Sequence, residues 1–416
     1  MRLYPVLCLL TLVLVATACG STEPGSAPSA TPAAVTTAAT VPNVIPTGIP
    51  AATATSPAPT KTTVTLDAHE AYSDGTCWAA DVQRAYFACK TEPFRLIRFD
   101  PATNTHTTYT APSGYNNAWG VCTTGGKVYV PSSGASGADH LSVSVFNTSD
   151  STPSLVAVYE YDAAGSSGGS SIATDGTYLY IGAVGLILMV RLSDMALMDT
   201  LTLTHSRSIH AIGYNATDGF LYAGGIDIAS KISIDRDEET LTETVHYHHN
   251  CGTMTDDVAF SSTDLWLGPE NGSIYGQVLL IPLSKFDSHE LVTLGPTAAA
   301  DAGWCQGSFM DSDGLHMWTA WATSPGQLTR TKLSDMTSER IWLATGENYA
   351  NEIVQYDTNK YLIVTWSNPG KVINLTNPFS DELLEKPPSD SNYSYWVPLR
   401  LYVETTPEDD LSSPRY

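Results

Sequence analysis

Residues 245–260 read VHYHHNCGTMTDDVAF and bring His246, His248, His249, Cys251, Asp256 and Asp257 into sixteen positions. Imidazole, thiolate and carboxylate at this density are the donors of a borderline metal such as zinc, or of an acid–base site. Whether they act together depends on the elements that carry them. On an extended strand His246 and His248 share one face and Tyr247 takes the other, whereas residues beyond a turn answer to different neighbours.

Those elements repeat. An aromatic residue inside a short β-like run recurs at Tyr86 (AYFAC), Tyr129 (VYVP), Tyr180 (LYIG), Tyr222 (LYAG), Trp266 (LWLG), Trp318 (MWTA) and Tyr361 (KYLIV), at intervals of 42 to 52 residues. Turns such as ATDGTY, NATDGF and DSDGLH precede several of these runs, and their Asp-Gly pairs supply the left-handed conformations of a hairpin. Alternating strands follow, such as FRLIRFDPATN and KVINLTNPF, and then often a fourth, such as ALMDTLTL or LTETVHY. Four strands per unit, seven units and no amphipathic helix predict an all-β fold, a seven-bladed β-propeller of four-stranded antiparallel blades. The rhythm resembles the bacterial seven-bladed propellers with YVTN-like, NHL-like or quinoprotein-dehydrogenase-like repeats. Residues 62–66 (TTVTL) and 399–404 (LRLYVE) both read as strands, so either the chain ends interlock in one blade or one of them is an extra edge strand.

In a propeller, the crossings between blades and the loops from second to third strand gather on one face around the channel mouth, where ligand sites concentrate. The residues that would ring this mouth are Asn117, Trp119, His210, Asp256, Asp257, Trp304, Gln306, Asn351 and Glu352. Converging carboxylates and amides suit a ligand or Ca²⁺, and the tryptophans suit stacking on a partner or sugar. The plainer alternative is a water-filled channel lined by polar residues. On this register residues 245–260 divide into an outer strand bearing exposed His246 and His248, a crossing loop from His249 to Thr255, and two aspartates at the mouth.

Other motifs fall away. SDGTCW at residues 73–78 resembles the Asp-box of sialidases, but its spacing is compressed and the arginine cluster of that family is missing. No Gly-x-Ser-x-Gly elbow, phosphate loop or His-Glu-x-x-His helix is present. Cys77 and Cys89 lie six residues either side of Gln83, the expected centre of the turn ADVQRAY, which predicts a disulfide between them. A second bridge, Cys251 to Cys305, would link adjacent blades and leave Cys122 as a small unpaired core residue rather than a nucleophile.

The ends of the chain bear on location. Arg2 and the apolar run after it, too short to span a membrane as a mature helix, predict a secretion signal over residues 1–18. Ala16-Thr17-Ala18-Cys19-Gly20 resembles the lipobox of bacterial lipoproteins, which implies lipidation (palmitate) at Cys19; Ala16 stands where that pattern has Leu, and ordinary cleavage is the alternative. Residues 19–60 then read as the lipidated cysteine and an Ala/Thr/Pro/Ser-rich tether too poor in apolar surface to fold, and residues 61–416 as the propeller. With 43 acidic against 20 basic residues the net charge is −23, which repels nucleic acid. The expectation is a secreted, membrane-tethered protein of the cell envelope, held by its lipid anchor. Its mouth would bind an extracytoplasmic protein, peptide or glycan, without a cofactor or with Ca²⁺. The alternative is a hydrolase or lyase with carboxylates at the mouth.

Overall fold

A computed structural model describes residues 60–134, 140–162, 171–204, 209–249, 255–269, 275–295, 303–378 and, by backbone alone, 400–403. Cys19 and the predicted signal and tether up to residue 59 lie outside them, as does Cys251. Among the described residues all regular structure is β-strand. Seven antiparallel sheets run from an inner strand outwards, in sequence order in all but the seventh, whose outer strand comes from the N-terminal end. The inner strands are Ser73–Ala79, Cys122–Thr124, Ser171–Thr174, Ile209–Asn215, Thr255–Phe260, Cys305–Met310 and Ala350–Asp357. Each packs against the next and the last packs against the first, so the seven-bladed propeller predicted from the repeat is the fold.

The repeated aromatic explains the repeat physically. It sits on the second strand of each blade, and six of the seven are essentially fully buried: Tyr86, Tyr180, Tyr222, Trp266, Trp318 and Tyr361. Seven hydrophobic clusters, one per interface between neighbouring blades, hold the core. The turn aspartates satisfy the polar tips that burial would otherwise strand. Tyr180 donates to Asp175 at 2.9 Å and Tyr222 to Asp218 at 2.6 Å, while Asp311 accepts from both Trp318 (3.1 Å) and Tyr361 of the next blade (2.9 Å).

The N-terminal strand closes the ring. Thr60–Thr65 pairs with Lys371–Thr376 and serves as the outer strand of blade seven, whereas Arg400–Val403 adds a fifth strand to the edge of blade five. Two glutamates on successive crossings fasten this seam in the same way. Glu347 accepts the Ala344 amide (2.7 Å), Lys61 Nζ (2.9 Å) and the Thr63 hydroxyl (2.5 Å). Glu70 accepts the Asp67 amide (2.8 Å) and the Thr108 hydroxyl, and pairs with His106 Nε2 at 3.1 Å. The outer strands they grip, TKTTVT and THTTYT, align residue for residue.

The disulfide expected between Cys77 and Cys89 is absent, and both thiols are free. Gln83 is not the turn centre: it takes a left-handed φ of 54° at the end of the turn, and its side chain caps Ala80 O at 2.9 Å. The hairpin register is therefore three residues away from the expected one. Cys77 opposes Tyr86 and Cys89 opposes Ser73, past a bulge at residues 74–75. Cys77 faces the core shared with blade two and Cys89 the core shared with blade seven. Burial pushes the Cys89 thiol up to about 12 and holds Cys77 protonated as well. Cys122 is half-buried and unpaired, and burial pushes its thiol up to about 12, as suits a core residue. Cys305 is buried on the inner strand of blade six, with Ser308 Oγ 3.6 Å from its sulfur.

Candidate functional site at the channel mouth

Every inner strand begins on the mouth face, and a cavity of about 140 Å³ lies among these strand starts. Trp119, His210, Asp257 and Glu352 line it, with Gly75 and Thr76. Gly75 permits the convergence. At φ 79° it abuts Gly120 so closely that a Cβ would lie 2.6 Å from the Gly120 Cα.

The two ionisable groups best placed by the fold are shifted in opposite directions. Burial, reinforced by Lys90, lowers His210 to about 4, so its ring is neutral at physiological pH. Burial raises Asp257 to about 6, although the Ser308 and Val258 amides favour its ionised form. Asp257 and Glu352 thus face one small cavity alongside a neutral imidazole.

The other expected mouth residues are divided. Asn117 lies outside the cavity; it has φ 55° and its amide donates to Thr91 O. Trp304 stacks near Tyr275, 5.4 Å between ring centroids, in another sector. Gln306 is buried, and Asn351, also buried, donates its side-chain amide to Ser73 O at 2.7 Å, a tie between blades seven and one rather than a ligand group. Asp256 is on the strand, but its side chain lies outside the described part. In residues 245–249, His246 and His248 share one face at 5.7 Å, with His246 exposed. His249 is buried, and burial together with His289 and His248 lowers it to about 3.

The loops from second to third strand add residues that inspection of the crossings alone missed. Lys90 follows the second strand of blade one, and its Nζ lies 3.1 Å from the Trp119 ring centroid and 5.1 Å from that of Trp366, the equivalent loop residue of blade seven. Trp366 contacts Tyr72 at 5.5 Å, and Trp119 contacts His210 edge-on at 5.0 Å. Tyr72, Trp366, Lys90, Trp119 and His210 therefore form one continuous aromatic–cation array across the mouth. Tyr72 and Tyr349 hold equivalent left-handed positions in successive crossings, φ 54° and 57°, and both rings are exposed. The sequence signal was the face rule itself, applied to both loop types.

Among the described residues, Asp67, Glu70 and His106 are the one group offering three metal-type ligand atoms within 4.8 Å. Glu70 is already hydrogen-bonded on both oxygens, and the matching clamp at Glu347 uses Lys61 and Thr63, which cannot ligate a divalent cation as a set. The group is a structural clamp of the seam.

No family model matches the chain, and no curated protein matches it. Among solved structures, a chain in the crystal structure of a mitotic checkpoint complex is similar in fold, with a TM-score of 0.57 and 12% identity over 75% of this chain and 90% of that one. At that identity the likeness establishes the propeller fold and nothing about a shared site.

Proposed function

We propose that the chain is a secreted, lipid-anchored binding or scaffolding module that docks an extracytoplasmic partner on the channel-mouth face. The observation that carries this reading is the aromatic–cation array from Tyr72 to His210, extended by the exposed Tyr349. Rigid aromatic rings with a polar or cationic neighbour are the usual anchors of recognition surfaces. The similar solved chain comes from a protein complex, which supports a binding role by fold alone. The lipobox-like Cys19 and the polar tract after it supply the anchor and reach. Photo-crosslinking amino acids at Tyr72 and Tyr349 should give adducts on intact cells, and one at exposed Asp237 on the opposite face should give none. Adducts from Asp237 but not from the tyrosines would overturn the proposal.

A second reading rests on the cavity. Asp257, raised towards neutral pH, shares it with Glu352 and neutral His210, a pairing suited to acid–base hydrolase or lyase chemistry or to Ca²⁺. Metal content and melting temperature before and after chelation, together with turnover by Asp257→Asn, test it. Unchanged behaviour in all three removes it.

A further inference from the structure

Beside the array, at the junction of blades seven and one, lies an open groove of about 540 Å³. Tyr72, Lys90, Arg95, Asn117 and Asn368 line it, with Glu92 as its one acidic member. We propose that this groove binds a carboxylated saccharide of the uronic acid type, with Tyr72 stacking on a sugar ring and Arg95 receiving the carboxylate. The inference rests on the reading of the mouth as the binding face and names the ligand class for that face.

Charge is the first argument. The chain is strongly acidic, and its hairpin turns put a carboxylate on the opposite face again and again, as at Asp175, Asp218, Asp235, Asp311 and Asp335. Most described lysines and arginines on that face are paired with those carboxylates. Arg95 is different: half-buried at the start of the third strand of blade one, it has no carboxylate within ion-pair distance among the described residues. An arginine fork left open towards a groove is matched by a planar carboxylate. Acidic groups on the far face are a six-residue strand away, about 20 Å, which exceeds a Debye length of about 8–10 Å.

Shape decides between sugar and peptide. A groove of this volume is in the range of small-ligand sites. A peptide docking as an added strand needs open main-chain groups, but the backbone here is engaged: Tyr72 N donates to Ser367 O, Lys90 N to Tyr72 O, and Asn117 N to Thr91 O. What lines the groove instead is the exposed Tyr72 ring, two carboxamides and the half-buried Arg95 guanidinium. That set fits a saccharide ring carrying a carboxylate.

The test titrates the full-length chain, with tryptophan fluorescence as readout, because Trp366 and Trp119 flank Lys90. Tetragalacturonate should bind at least tenfold more tightly than neutral maltotetraose and than a tetra-aspartate peptide. Arg95→Gln should remove that preference, Arg95→Lys should retain part of it, and Tyr72→Ala should weaken tetragalacturonate at least tenfold, with melting temperatures confirming that each variant is folded. Equal binding of maltotetraose, or of tetra-aspartate, overturns the proposal. If no saccharide binds while crosslinks still form at Tyr72, the ligand class falls and the mouth-face reading stands; saccharide binding without any crosslinked partner leaves the groove assignment standing and removes the docking role.

Discussion

Substituting Glu347 with alanine isolates the ring-closure seam, because this one carboxylate joins the N-terminal strand to the crossing into blade seven. Its side chain is only 6% exposed. Burial raises its pKa, but hydrogen bonds from Thr63, Lys61 and the Ala344 amide outweigh that and hold the carboxyl below its usual range. The variant leaves a backbone N–H and a hydroxyl without acceptors and an ammonium without its counter-ion. A buried donor left unsatisfied costs about 1–3 kcal/mol. Thr63 sits on an outer strand and the Lys61 side chain is 25% exposed, so water recovers part of their loss, and the total should be about 2–4 kcal/mol. Urea denaturation at pH 7, followed by tryptophan fluorescence, measures it, with exposed Glu339→Ala as a control expected within about 0.5 kcal/mol. A carboxyl whose folded pKa is depressed stabilises above its unfolded value near 4.3, and that stability fades as pH falls through the folded value. The gap between wild type and Glu347→Ala should therefore narrow in acid. A loss no larger than the control, or a gap that widens in acid, would refute the seam as a source of stability.

Acid should also act through buried histidines. His249 and His210, lowered to about 3 and 4, take up protons chiefly on unfolding, and His289, also lowered by burial, acts in the same direction, so stability falls as pH drops below about 6.5, while Asp257, raised to about 6, opposes this; urea midpoints between pH 6 and 4.5 should show a net loss of about 2–4 kcal/mol. His249→Gln should flatten that slope. Gly75→Ala must place a Cβ 2.6 Å from Gly120 Cα at φ 79°, and should lose about 2–4 kcal/mol in the same assay. Alkylation of the denatured, unreduced protein followed by peptide mass spectrometry should recover Cys77 and Cys89 each as a free, singly labelled thiol; a peptide pair joined through them would show that the hairpin register is wrong.

Blade number and strand order were legible because they are local. Each blade must bury one large aromatic on its second strand, which recurs at a regular interval, and three blades mark the turn before it with Asp-Gly. The division of residues 245–249 into a strand with His246 and His248 on one face was legible for the same reason, since strand alternation needs no partner. The first hairpin was misjudged because a turn of residues 80–83 and one centred on Gln83 look alike in composition, and a register change by an odd number moves Cys77 and Cys89 to opposite faces. Hairpin chemistry alone does not decide such a step; the cores on either side of blade one do.

The periodic pattern of aromatics, turns and alternating strands determines by itself that this chain is a seven-bladed propeller, because those features serve packing within one blade and its neighbours. Tertiary structure alone decided that Thr60–Thr65 rather than the C-terminal strand closes the ring, since both segments carry the same propensity and only the unpaired edge of Lys371–Thr376 distinguishes them. It also decided which polar residues meet. Asn351 and Glu352 are neighbours in sequence, yet successive side chains of a strand point to opposite sides, so one ties two blades together while the other lines the channel cavity. Lys90 and Trp366 lie at far ends of the chain and become neighbours across the mouth only because closure of the ring brings blade seven against blade one.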